Sequence, residues 1–185
     1  KPEWVEPGAA YAHQRGLRVS GHIPAFMRAE EAVRAGFDEI QHINQVMLNF
    51  LVKKDDDTRT LLRFYLVGDN THLLDLDSPA IKDFIKLLVD RKTAIDPTMT
   101  AFEAMYLQRQ GAPNPSFKMV AGNVPPAVSR NWLTNSMDVT DKNAEPFRKS
   151  YEKLLAMVKR MYDAGVPILA GSDDIAGFTL HRELE

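Results

Sequence analysis

Two histidines and an aspartate have the types and the placement to do metal chemistry. His22 follows the short apolar run Leu17-Arg18-Val19-Ser20-Gly21, His42 closes Phe37-Asp38-Glu39-Ile40-Gln41, and Asp173 lies just beyond Val166-Pro167-Ile168-Leu169-Ala170. Imidazole and carboxylate are the donors that hold Zn²⁺ or a similar divalent ion. Such an ion makes bound water a nucleophile near neutral pH, and a carboxylate beside that water can take its proton and pass it to a leaving group. No tight motif such as H-E-x-x-H is present. Taken singly, each histidine also fits a hydrogen-bonded structural imidazole, and Asp173 also fits a cap on a following turn. What joins the three is a shared position after predicted strands.

The elements that would position them alternate helix and strand. Pro2 to Arg15 carries a helical pattern, with Pro2 tolerated in the first turn and Gly16 ending it. Leu17 to His22 reads as a strand, Arg28 to Ala35 as a short helix closed by Gly36, and Phe37 to His42 as a second strand. Pro79 to Asp90 is an amphipathic helix, with Ser78 as its cap and Ile81, Phe84, Ile85 and Leu88 at helical spacing. Thr93 to Asp96 is a third strand stopped by Pro97. Pro146 to Ala164 is the longest helix, with Tyr151, Leu154, Leu155, Val158 and Met161 on its apolar face, and Val166 to Ala170 is a fourth strand. Helix, glycine, apolar strand in repetition is the pattern of βα units around a parallel sheet. Two stretches, 44–77 and 100–145, break the rhythm as long insertions after strands. They read as substrate-side loops, because parallel α/β folds bind ligands at the strand C-termini. A mobile surface excursion is the competing reading.

Composition narrows the class. The 185 residues are enough for one domain with a sizeable core, and 44% hydrophobic with 26% charged residues is ordinary for a folded, soluble chain. A formal net charge of -2 and the lack of a basic block argue against a nucleic-acid partner. The acidic run Asp55-Asp56-Asp57 reads as a solvated loop. With no cysteine, disulfides, thiolate metal sites and a Cys nucleophile are excluded. No apolar run approaches the roughly 20 residues of a membrane span. Nothing reads as a signal peptide, and the compartment stays open. The opening at Lys1, without a Met and at a helix start, leads us to expect a truncated N-terminus.

Gly16-Leu17-Arg18-Val19-Ser20-Gly21-His22-Ile23-Pro24, together with Ala32-Val33-Arg34-Ala35-Gly36-Phe37-Asp38-Glu39-Ile40-Gln41-His42, resembles the strand-five and strand-six metal region of the amidohydrolase superfamily. The resemblance is greatest to its imidazolonepropionase-like and prolidase-like branch. Ala164-Gly165-Val166-Pro167-Ile168-Leu169-Ala170-Gly171-Ser172-Asp173 is similar to that family's strand-eight motif, and Gly177 to Glu185 resembles the segment after it. The resemblance implies the later four βα units of a TIM (β/α)8 barrel, a partial barrel forming the C-terminal half of a catalytic domain. It implies metal ligation by His22, His42 and Asp173, with Asp173 also the proton shuttle, and one or two divalent ions, zinc foremost. It implies hydrolysis of amide or cyclic amide C–N bonds in a small-molecule substrate, and by analogy a homo-oligomer. The family's His-x-His pair and its bridging lysine have no counterpart here, so activity of this chain by itself is not expected.

Weaker candidates follow. His181, Thr98 and Met99 lie where they could face substrate, each with a structural alternative. Phe102, Tyr106 and Trp132 could form an apolar substrate wall or pack the second insertion. Asp174 reads as a turn charge, and His13 and His72 as surface or structural residues. The rival to a hydrolase is a noncatalytic βα binding or assembly domain. A phosphate-binding enzyme is disfavoured, because no Gly-rich strand-to-helix turn is present.

Overall fold

The structure is a computed structural model and describes residues 1–117, 120–135, 137–173 and 179–185. Asp174, read from the sequence as a turn charge, and Gly177 and Phe178 of the resembling segment lie outside the described residues.

Helices α1 (Val5–His13), α2 (Ala29–Arg34), α5 (Pro79–Arg91) and α8 (Ala144–Asp163) each precede a pairing segment. All four end in the same way. In each, the first residue of the next segment donates its N–H back to a carbonyl in the last helical turn: Leu17 to Ala12, Phe37 to Ala32, Thr93 to Leu88 and Val166 to Met161, at 2.9–3.0 Å. This ending needs a left-handed residue at its pivot. Gly16, Gly36 and Gly165 supply it at φ 70°, 113° and 91°, and Lys92 does so at φ 54°. The glycines legible in the sequence therefore set the sharp reversals that send each helix into the sheet.

Strands β1 (Ser20–Gly21), β2 (Glu39–Gln41) and β3 (Ala94–Asp96) form a parallel sheet in chain order. Ser20 pairs with Glu39, and Ile40 with Ile95. The fourth expected strand is a single parallel bridge between Ile168 and Ile95, held by Ile95 N–H to Pro167 O and Leu169 N–H to Ile95 O at 2.9 and 2.8 Å. The molecule is thus α/β, with a small open parallel sheet surrounded by helices. The pairing segments are shorter than the apolar runs suggested: Leu17 lies before β1 begins, Leu169 is held only on its β3 side, and both are more than two-fifths exposed.

The two insertions differ from their reading as loops. The first holds most of α3 (Ile43–Leu51) and all of α4 (Leu62–Asn70). Ile43, Val46, Met47 and Val67 on these helices are wholly buried. The second opens within α6 (Met99–Leu107) and includes α7 (Pro126–Asn131). On α6, Phe102 and Tyr106 are buried, and such tertiary burial overrides weak local periodicity.

The core runs from α2 and the sheet through α3 and α4 to α8. On α8 the buried stripe is Phe147, Ser150, Leu154, Met157 and Met161. The sequence placed Leu155 on that face, yet it is 45% exposed. The apolar arc of α8 is wide, and its Leu155 side faces a groove. Ser78 does not cap α5 through its side chain, whose entry relies on Pro79 in the first turn. No helix among the described residues is long and apolar enough to cross a membrane.

Candidate metal and catalytic site

Because the paired segments are parallel, their C-terminal ends lie on one side of the sheet. His22 follows β1, His42 follows β2, Thr98 follows β3 after Pro97, and Asp173 follows the segment bridged at Ile168. Three of these four have positive φ: His42 at 71°, Thr98 at 48° and Asp173 at 50°. Such conformations cost about 1–3 kcal/mol each outside glycine and gather at functional sites. Local hydrogen bonds offset that cost at His42, since its N–H donates to Asp96 O at 2.7 Å and the Ile43 N–H donates to Pro97 O at 3.0 Å.

The two imidazoles meet. His22 Nε2 and His42 Nε2 are 2.7 Å apart, with ring centroids 4.6 Å apart at 68°. His42 Nδ1 lies 2.8 Å from Thr98 Oγ1. Phe102 stands edge-on to His42, 6.5 Å between ring centres. Burial holds the His42 imidazole below its ordinary pKa; the charge of Asp173 opposes this, and those of His22 and Arg63 reinforce it. Neutral imidazole is the form that ligates metal. His22 is exposed, and Asp173 is exposed but near enough for its charge to act on His42. Among the described residues no group of three or more His, Asp or Glu side chains is arranged to hold a metal ion. The structure brings two of the three predicted ligands into contact and leaves the third alongside.

The sequence reading missed Asp96 as a site residue. Its carboxylate lies against Gly171, and its Oδ1 is buried without a hydrogen-bond partner. Burial raises its pKa, and the charges of Glu39 and Asp173 raise it further. The only signal was an acidic residue at a strand end, before a proline. A Cβ at Gly171 would run into this carboxylate. Gly171→Ala is therefore expected to push the last segment off β3, costing about 1–3 kcal/mol by chemical denaturation, whereas Gly122→Ala, with open space around it, should not. Arg63 was also missed. It projects from α4 with its Nε buried and unpaired, and its charge reaches His42.

The weaker candidates separate. Thr98 touches His42. Met99 is buried, and its N–H donates to Glu183 Oε1 at 2.7 Å, with Thr100 N–H on Oε2 at 2.8 Å. The carboxylate of Glu183, on α9 (Leu180–Glu183), thereby caps α6. His181 is exposed on α9. Tyr106 is no substrate wall, because it is wholly buried against Phe147 and donates its hydroxyl to Phe64 O. Trp132 stacks on Phe117 at 4.3 Å and lines a cavity of about 660 Å³ within the second insertion. His13 pairs with Asp38 at 2.8 Å, and His72 Nδ1 approaches Ser150 Oγ at 3.3 Å, both structural contacts.

A second cluster borders this region. Glu103, 5% exposed, binds Arg182 through both carboxylate oxygens and accepts the Ser116 hydroxyl at 2.7 Å. Burial alone would raise its pKa, but Arg182 and Ser116 bring it below the ordinary glutamate value. A carboxyl with a folded-state pKa below its unfolded one lends stability above the unfolded value and loses it as pH falls through the folded one. Arg182→Ala should therefore destabilise the fold by about 2 kcal/mol at neutral pH, less than a fully buried pair because the arginine is half exposed. The gap from wild type should shrink as the pH drops below about 4, which urea titrations at several pH values would show.

With this geometry in view, comparison with known proteins gave a likeness. It is to a bottromycin amidohydrolase. The superposition has a TM-score of 0.50 at 19% identity and covers 95% of this chain but 37% of that one. At this identity the likeness is one of fold, and the chain spans little more than a third of that protein's length. No protein-family model matches the sequence, and no curated protein matches it. An amidohydrolase-like fold thus has structural support, while the particular branch suggested by the sequence has none.

Proposed function

We propose that this chain supplies ligand and proton-transfer residues to a metal-dependent hydrolase that cleaves C–N bonds, amide or cyclic amide, in a small molecule. The observation that carries the reading is the contact of the His22 and His42 Nε2 atoms at the C-terminal end of a parallel sheet. Two bare imidazole nitrogens repel, so the pair needs either a shared proton or a shared cation. The donor set fits zinc, with Asp173 the nearby carboxylate. At 2.7 Å the two nitrogens are at hydrogen-bond distance, and His22, being exposed, is the residue that would shift to admit an ion. The fold likeness to a protein named as an amidohydrolase supports the same reading.

A divalent ion held there would supply Lewis-acid activation of water near neutral pH. The chain's residues do the rest. His22 and His42 hold and orient, Phe102 excludes water from one side of His42, and Asp173 takes the proton of the attacking water and delivers it to the leaving nitrogen. The reading includes placement within a (β/α)8 barrel, one or two ions, and assembly as a homo-oligomer or with further barrel strands.

The test is hydrolysis of a panel of dipeptides, cyclic amides and esters by this chain assembled with the further barrel strands and supplied with Zn²⁺ or Mn²⁺, beside the same assembly carrying Asp173→Asn. Amide cleavage reduced by about a hundredfold or more in the variant, with Zn²⁺ still bound, supports the proposal. Cleavage that survives the substitution removes Asp173 from the role of shuttle.

A further inference from the structure

His42 is held at both ring nitrogens, and the two contacts constrain each other. Its Nε2 faces His22 Nε2 at 2.7 Å, and its Nδ1 faces Thr98 Oγ1 at 2.8 Å. With both rings neutral, one of the two Nε2 atoms carries the proton between them. Where His42 carries it, Nδ1 is bare and accepts from the Thr98 hydroxyl. Where His22 carries it, His42 keeps its proton on Nδ1 and donates to Thr98 Oγ1. A hydroxyl both donates and accepts, so Thr98 satisfies either tautomer without moving.

The position is built for this partner. Thr98 is 2% exposed and sits in a left-handed conformation that a β-branched residue rarely adopts. The strained turn after β3 points the hydroxyl at His42 and away from water, so no solvent molecule can readily replace it.

We propose that Thr98 is a positioning residue that accepts from His42 Nδ1–H, so that His42 would offer a bare Nε2 to a divalent cation while the proton shared between the two Nε2 atoms leaves to water on the exposed His22 side. The inference rests on the metal-dependent reading above. It assigns Thr98 a place behind the ligand, where the sequence suggested contact with substrate. Removing the partner that orients a ligating histidine from its far nitrogen commonly weakens metal affinity about 10–100-fold.

The experiment uses chain labelled with ¹⁵N at histidine, in wild-type, Thr98→Val and Thr98→Ser forms, at a pH where both rings are neutral. Long-range ¹H–¹⁵N spectra report the His42 tautomer without and with Zn²⁺, and calorimetry gives the affinity. In wild type, Zn²⁺ is expected to move His42 fully to the Nδ1–H form. Thr98→Val should alter the metal-free tautomer ratio and weaken Zn²⁺ binding about 10–100-fold, and Thr98→Ser should restore both. Identical metal-free His42 spectra in wild type and Thr98→Val overturn the inference, whatever the metal does. A wild type that binds no Zn²⁺ overturns the metal-dependent reading, while the metal-free spectra still judge whether the hydroxyl sets the tautomer.

Discussion

His42→Asn is expected to weaken Zn²⁺ binding by about two orders of magnitude or more while leaving the fold intact. A structural zinc draws on the order of 10 kcal/mol or more from a full ligand set, so removing one strong imidazole donor removes a large share. Asparagine is the informative replacement, because position 42 has φ 71° and caps the start of α3 from just outside it. Asparagine tolerates positive φ better than alanine, so a loss of affinity would not simply report backbone strain. His22→Ala should show the same loss at still less structural cost, since His22 is exposed and its φ is not positive. Calorimetric titration with Zn²⁺, beside a thermal melt of each variant, separates ligand loss from unfolding. Equal affinity in wild type and both variants would assign the histidines to structure.

Phe147→Ala should produce the largest loss of stability, about 3–5 kcal/mol. Its ring is wholly buried, lies 5.3 Å from that of Tyr106, and fills the space above Gly68, where even a Cβ would come within 2.7 Å of it. This is the point where α4, α6 and α8 meet, so the void left by the ring is bordered by three helices. In a domain of this size the midpoint should fall by about 10 °C or more. Leu155→Ala, on the same helix but exposed toward the groove, should cost under about 1 kcal/mol. Urea titrations of the two variants compare them directly. Equal losses would mean that the buried stripe of α8 is misplaced.

That comparison also shows where the sequence was informative. Gly16, Gly36 and Gly165 carry a local conformational requirement, so helix ends and strand starts could be read from them. The same reversal at Lys92 had no glycine to announce it. His22, His42 and Asp173 stood out because each follows an apolar run, and parallel pairing does bring the first two into contact. Asp96, Thr98 and Arg63 were hard to read as site residues because their roles depend on partners far along the chain. Thr98 reaches His42 across 56 positions, and Asp96 meets Gly171 only once the last segment docks. The insertions misled for the related reason that α3, α4 and α6 are helical through tertiary burial, which periodicity in a short window does not reveal. On α8, apolar residues occupy more than one face, so spacing alone could not separate the core-facing Leu154 and Met157 from the groove-facing Leu155.

Whether the strand-end histidines share a divalent cation is tested most directly by elemental analysis. The purified chain is incubated with Zn²⁺ and dialysed, beside the His22→Ala, His42→Asn double variant. Close to one zinc per chain is expected in wild type and almost none in the double variant. Zinc absent from both, or retained equally by both, would contradict the shared cation.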